Sequence, residues 1–167
     1  MRSETTADLR TVFGAFPTGV AAVCGRDGDE PVGMTVSTFT PVSLDPPLLS
    51  LCVQRTSATW PRLRQAAALG VSILGEHHGP AGLQLSSTTG DRFAGLETRT
   101  AGSGSVFLSD PCAWFDCTLE AEHPAGDHVI ALLRIDGCGR SASVAPLVVH
   151  GSRFRRLDAL PSRTQER

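Results

Sequence analysis

The sequence predicts a mainly-β fold, an antiparallel barrel of six or seven strands with two or three short helices, and three observations carry that expectation. From Ala113 to Glu122, the residues Ala113, Phe115, Cys117, Leu119 and Ala121 alternate with Trp114, Asp116, Thr118, Glu120 and Glu122. This period of two sets one face of a strand against a core. His123-Pro-Ala-Gly-Asp127 then supplies turn residues before a second strand-like run, His128 to Ile135, so the pair reads as a hairpin. The regular strand–helix alternation of a doubly wound parallel sheet is missing, and hairpin-linked strands without it close into a barrel.

The remaining elements follow along the chain. Polar, flexible ends are expected over residues 1–8 and 158–167, leaving 9–157 as one domain within the 167 residues. Asp8 to Phe16 suits a short helix with Leu9, Val12, Phe13 and Phe16 on one face. Gly19 to Gly25 reads as a strand, and Arg26-Asp-Gly-Asp-Glu-Pro31 as a turn in which Gly28 takes a positive φ. Two strand-like runs, Val32 to Thr40 and Leu48 to Val53, are broken by Leu44-Asp45-Pro46-Pro47, because a double proline belongs at a corner or a strand's first residue. From Ser57 to Ala68 the period changes to a helix, entered through hydroxyl residues, with Trp60, Leu63 and Ala67 on one face and Pro61 in its first turn. Gly70 to Leu74 is a further strand, and Pro146 to His150 and Arg153 to Leu157 close the sheet.

Composition narrows the function. With 41% hydrophobic and 19% charged residues, the chain is not of the disordered class. A formal charge of −2 offers no broad attraction to nucleic acid or anionic lipid, so neither partner is expected. Every basic residue is Arg, and Lys and Asn are absent; an anion site must therefore use Arg, hydroxyls or backbone N–H groups. The five cysteines lack paired-ligand spacing. Cys52, Cys117 and Cys138 fall in strand-like runs, where a free cysteine serves as a small buried hydrophobe. His77 and His78 are adjacent, about 100° apart on a regular helix, and no metal site is expected. No stretch has membrane-spanning length and no leader is evident, so the expected location is the cytoplasm. Gly102-Ser-Gly104 lacks the third glycine of a dinucleotide loop, and neither a P-loop nor G-x-S-x-G occurs.

The segment Gly33-Met-Thr-Val-Ser-Thr-Phe-Thr-Pro-Val-Ser-Leu-Asp-Pro-Pro47 is unusual in that hydroxyl residues interrupt a core-like strand. By composition alone it would be an edge strand with solvated threonines. It resembles, however, the flavin-contacting strand and loop of the flavin reductase-like family. Phe16-Pro-Thr-Gly-Val20, Pro47-Leu-Leu-Ser-Leu-Cys-Val53 followed by Ser57-Ala-Thr-Trp60, Gly90-Asp-Arg-Phe-Ala-Gly95, Gly126-Asp-His128 and Pro146-Leu-Val-Val-His150 are similar to further family elements in the same order. The resemblance extends from about Leu9 to Leu157 and implies an FMN-binding split barrel of Greek-key type.

That resemblance implies a site. Met34, Thr35, Val36, Ser37 and Thr38 would lie along the flavin ring, with Cys52, Ser86 and Phe93 also in contact. Gln54, Arg55, Ser57 and Thr59 stand before a helix start, where N–H groups favour a phosphate. Ser57 or Thr59 serves equally as an N-cap there, and Arg92 either adds charge at the same end or forms a surface ion pair. His128 would orient the nicotinamide, with Asp127 holding the turn and the imidazole. Where the family usually carries a Phe-Ala pair touching the flavin, this chain has Gln84-Leu-Ser-Ser87. The implied activity is reduction of FMN or FAD by NADH or NADPH in a homodimer that delivers reduced flavin to a flavin-dependent monooxygenase. The alternatives are a split-barrel enzyme whose tightly bound flavin acts on a small organic substrate, and a non-catalytic flavin-binding module.

Overall fold

The computed structural model describes residues 6–158. Helix α1 (Thr6–Phe13) precedes β1 (Thr18–Gly19), β2 (Ala21–Asp27), β3 (Glu30–Val36), β4 (Thr40–Leu44) and β5 (Pro47–Gln54). Next come α2 (Trp60–Leu63), β6 (Leu69–Ile73), a 3-10 turn at Glu76–His78, and α3 (Gly79–Ser86). A short ribbon of β7 (Thr98–Thr100) and β8 (Val106–Leu108) leads to the long strands β9 (Ala113–Ala125) and β10 (His128–Arg140). The described chain closes with β11 (Val148–His150) and β12 (Arg153–Arg155).

Seven strands form one antiparallel sheet in the order β3-β2-β6-β9-β10-β5-β4. Its two edges, β3 and β4, are consecutive in the chain and joined only by Ser37, Thr38 and Phe39. Laid flat, the edges of seven strands would stand about 29 Å apart, whereas the link from Val36 to Thr40 reaches about 14 Å at most. The sheet must therefore curl until its edges meet, and this short link makes it a barrel. Alternation fills the inside: Ala21, Val23, Val36, Leu49, Leu51, Val53, Val71, Cys117 and Leu133 belong to one buried cluster. The opposite parity of the second strand region, Val20, Ala22 and Cys24, packs with Leu74, Leu85, Val106 and Leu147 in a second core outside the barrel. Each buried aliphatic side chain contributes roughly 1.5–3 kcal/mol.

Several expectations are refined. Gly28 takes φ 62° in the β2–β3 turn and Pro47 is the first residue of β5, as their chemistry requires. The run Val32 to Thr40 is not one strand, because the chain turns from one sheet edge to the other at Ser37–Phe39. The helix expected over Ser57–Ala68 ends at Leu63, so Ala67 is exposed and shares no face with Trp60 and Leu63, which are buried. The β9–β10 turn is tighter than His123–Asp127, since strand pairing runs through Ala125↔His128. Helix α1 begins at Thr6 and stops at Phe13, so Thr6–Asp8 are helical; residues 1–5 and 159–167 of the expected flexible ends lie outside the described residues. Burial pushes the thiols of Cys24 and Cys117 up to about 12, but Cys138 is exposed and does not join the core.

The buried ring of His78 ties two distant segments together. Gly75 N–H donates to Nδ1 at 3.0 Å, and Nε2 lies 2.9 Å from the Ser109 carbonyl, which can only accept. The neutral Nε2–H tautomer satisfies both contacts, whereas a second proton would face the Gly75 N–H. Burial, then the neighbouring His77, hold the His78 pKa below its ordinary 6.5. The unfolded chain therefore binds more protons in the interval between the two values. His78's contribution to stability is complete above about pH 6.5 and is lost as pH falls toward the folded-state pKa. Urea denaturation at about pH 7.5 and about pH 5.5 should show His78→Gln less stable at the higher pH and losing less on acidification than the native chain. An equal loss in both proteins would remove His78 from the linkage.

Candidate functional site

Backbone pairing between β4 and β5 reaches Thr40↔Ser50 and stops, although β5 continues to Gln54. On the other side of β5, Cys52, Val53 and Gln54 remain paired with Ile130, Val129 and His128 of β10. Extending the β4 register by two residues puts Thr38 opposite Cys52, and there a side chain replaces the backbone. The Cys52 N–H donates to Thr38 Oγ1 at 2.8 Å, and the Thr38 hydroxyl donates to the Cys52 carbonyl at 3.0 Å. Past this pair the seam between β3 and β5 opens into a cavity of about 580 Å³, within the usual range of small-molecule sites. Met34–Thr38 and Cys52–Gln54 form its strand walls, and Thr56–Thr59, Leu85, Ser86, Thr88, Arg92 and His128 complete the lining.

Part of the wall is built around a cation. Ser57 Oγ accepts from the N–H groups of Thr59 at 3.3 Å and Trp60 at 3.2 Å, so Ser57 holds the turn that leads into α2, whose N-cap position is Thr59. Thr59 makes no side-chain cap; its Oγ1 accepts from Arg92 Nη1 at 2.6 Å, and the same nitrogen donates to the Gly33 carbonyl at 3.2 Å. Arg92 is half-buried, and no carboxylate pairs with it among the described residues. Its loop is fastened at several points. Asp91 Oδ1 accepts from Phe93 N–H at 2.8 Å, and Gln84 Nε2 donates to the Ala94 carbonyl at 2.8 Å. Phe93 also needs a glycine opposite: a Cβ at Gly33 would lie 2.8 Å from Phe93 Cζ and 2.6 Å from Cys24 Sγ.

His128 enters the wall from the β9–β10 turn, where Gly126 takes φ 65°. The half-buried ring places Nδ1 2.8 Å from Asp127 Oδ1. This hydrogen bond is the main reason that the exposed Asp127 carboxyl lies below its ordinary pKa of 3.8. An ionised carboxylate only accepts, so Nδ1 carries the proton and Nε2 is left as the acceptor of the neutral ring. The turn is further fixed by Arg55 N–H donating to the Asp127 carbonyl at 3.0 Å.

The cavity gathers Met34, Thr35, Val36, Ser37, Thr38, Cys52, Gln54, Ser57, Thr59, Ser86, Arg92 and His128 from four chain segments. Three residues expected with them do not line it. Arg55 is exposed and contributes its backbone to the turn; Asp127 acts on His128; Phe93 lines a neighbouring recess. Val53, Thr56, Ala58, Leu85 and Thr88 join the lining unannounced by any local signal. Leu85 and Ser86 stand in α3, and in the stretch Gln84–Ser87 it is Gln84 that holds the Arg92 loop.

A family model described as "Flavin reductase like domain" matches residues 13–158. The chain is 38% identical over 128 residues to a probable flavin reductase of Rhizobium meliloti, a match spanning 76% of this chain and only 41% of that longer protein. It is 31% identical over 150 residues to the reductase subunit of a flavin-dependent monooxygenase from Rhodococcus jostii, covering 90% of this chain and 77% of the relative. A solved NADH:FAD oxidoreductase of Streptomyces globisporus, in complex with NAD and FAD fragments, superposes with a TM-score of 0.86 at 33% identity, covering 91% and 92% of the two chains.

The Thr38 substitution gives a direct test of the seam. Thr38→Val removes both hydrogen bonds to Cys52 while keeping the side chain's shape, and should destabilise the protein by about 1–3 kcal/mol. Thr38→Ser should recover most of that loss in denaturant titration. Equal stability of the valine variant and the native protein would show that the seam does not need the hydroxyl.

Proposed function

The chain belongs to the family of flavin reductase like domains, and from that premise we propose that it is an oxidoreductase passing hydride from NADH or NADPH to FMN or FAD. The observation that carries this reading is Arg92, a half-buried guanidinium without a carboxylate partner among the described residues, in the wall of a cavity with extended-strand sides. Both of its hydrogen bonds use Nη1, leaving donors for a flavin phosphate. The Thr59 hydroxyl is bonded to it, and Ser57 lines the same cavity. Helix α2 has four residues and therefore little macrodipole, so Arg92 takes the role that a helix end and Arg55 were expected to fill. Met34–Thr38, Cys52, Gln54 and Ser86 supply backbone and small side chains against which a flat ring can lie. When bound, flavin is the hydride acceptor and reduced nicotinamide the donor. His128, oriented by Asp127, offers Nε2 to a carboxamide N–H and so positions the donor; no proton transfer is assigned to it.

The reduced product then serves a flavin-dependent monooxygenase, in keeping with the reductase-subunit relative. The active unit is a homodimer. Phe13 and Phe16 are 70% and 73% exposed, and the groove that they line shares Ser37 and Thr38 with the main cavity. A second copy covering these rings would complete a wall of the site and remove an apolar patch from water. No described helix is long and apolar enough to cross a membrane. The proposed location is the cytoplasm, where free thiols such as the exposed Cys138 stay reduced.

Purified protein should oxidise NADH or NADPH in proportion to added flavin, and absence of turnover with either donor and either flavin would refute the reading. Arg92→Ala should raise the flavin Kd about tenfold or more, as loss of a charge-assisted hydrogen bond implies. His128→Ala should leave flavin affinity nearly unchanged but lower kcat/KM for the nicotinamide about 10- to 100-fold. Full activity in His128→Ala would exclude it from the donor site.

A further inference from the structure

Helix α3 is fastened to the protein independently of the loop that carries Arg92. The Thr35 hydroxyl, in the strand wall of the cavity, donates to the Gly82 carbonyl at 3.4 Å, and Leu85 is fully buried in the outer core. An added Cβ at Gly82 would lie 3.4 Å from Leu74 Cδ1, so the helix also packs closely on that core. The loop itself is less constrained. Gly90 and Gly95, on either side of Arg92, take φ 77° and 71°, where glycine leaves the backbone permissive. The bonds from Phe93 N–H to Asp91 Oδ1 and from Leu96 N–H to the Phe93 carbonyl are both internal to the loop. Outside it, the Phe93 ring packs at Gly33 and Arg92 bonds to Gly33 and Thr59. The remaining tie is Gln84 of α3, whose Nε2 lies 2.8 Å from the Ala94 carbonyl oxygen and 3.4 Å from that of Asp91. Those two carbonyls stand on either side of Arg92 and Phe93.

A primary amide carries two N–H donors, one for each of these carbonyls. Gln84 therefore spans both ends of the turn that presents Arg92 and joins it to a fixed helix. Position matters here because a guanidinium displaced by about 1 Å no longer makes a hydrogen bond of ordinary length to a given point. A cation held in place before the anion arrives also need not be ordered on binding. Gln84 does not line the cavity, so any effect on a ligand passes through Arg92. Resting on the flavin reading above, we infer that Gln84 is a positioning residue: it holds Arg92 where the guanidinium meets a flavin phosphate, and so sets the preference for FMN over riboflavin.

Equilibrium titration of the full chain with FMN, and with riboflavin, which lacks the phosphate, separates this role from a general structural one. Gln84→Leu keeps much of the side chain's bulk but supplies no donor. It should raise the FMN Kd about 3- to 10-fold and leave the riboflavin Kd within about twofold, so that the preference for FMN shrinks. In an Arg92→Ala background the same substitution should change the FMN Kd by less than about twofold, because the residue it positions is gone. Riboflavin binding reports that each variant has folded; if the leucine variant does not fold, Gln84→Ala decides by the same criteria. An unchanged FMN Kd, an equal loss for riboflavin, or a fully additive loss in the double variant would overturn the inference while sparing the flavin site. A native protein that binds FMN no more tightly than riboflavin would remove the phosphate from Arg92 and overturn the inference as well. Failure of the native chain to bind either flavin would overturn the flavin reading itself.

Discussion

Beyond Ser50, strand β5 has no backbone partner on its β4 side, and the hydroxyl of Thr38 both accepts from the Cys52 N–H and donates to its carbonyl. A sheet edge left open at this point would expose two strong hydrogen-bonding groups. A continued β4 strand would satisfy them but would close the space between β3 and β5. One side chain resolves the conflict: it completes the ladder locally and lets the backbone of Ser37 and Thr38 leave the sheet. The cavity exists because the ladder is ended by a side chain.

The rest of the site depends on that opening being held at a fixed width. The short Ser37–Phe39 link draws the two edges of the sheet together, and the outer core clamps β2 and its neighbours against α3 and β8. Gln84 of α3 fastens the loop that carries Arg92, and Arg92 bonds back to Gly33 of β3 and to Thr59 before α2. Trp60 of α2 donates its indole N–H to Glu122 Oε1 of β9 at 2.7 Å, which locks the same corner to the far side of the sheet. An otherwise unpaired cation is thereby held by neutral partners. Such an arrangement leaves its charge available to an incoming anion.

How much of this could be read from the sequence varies with how local its causes are. The β9 alternation from Phe115 to Leu119, the glycine turns at Gly28 and Gly126, and the entry of β5 at Pro47 are determined by neighbours within a few residues and are legible. A bulge between Leu119 and Ala121 breaks the alternation beyond that point. The Ser57–Ala68 helix was overextended because Ala66–Ala68 continue an apolar period while the chain has already turned toward β6. Helix α3 and strand β8 gave little signal. The Gly79-Pro-Ala-Gly82 start of α3 has poor intrinsic helicity, and Val106–Leu108 is apolar and buried throughout, without alternation. In the site, residues adjacent in sequence were found together, as Met34–Thr38 shows. That Arg92 lines the cavity and Arg55 does not could be told only from the fold, since Arg55 is near Ser57 in sequence but Arg92 reaches Thr59 across 33 positions.

The proposed flavin site is the β3–β5 seam, opened beside Thr38. Hydrogen–deuterium exchange of the full chain, with and without saturating flavin, examines it most directly, because ligand seated in the seam must protect the backbone that surrounds it. Flavin in the seam predicts slowed exchange in peptides spanning residues 34–38, 52–59 and the Arg92 loop, with little change in the β7–β8 ribbon, which does not line the cavity. Protection confined to the groove lined by Phe13, Phe16 and Val149, with the seam unaffected, would contradict it.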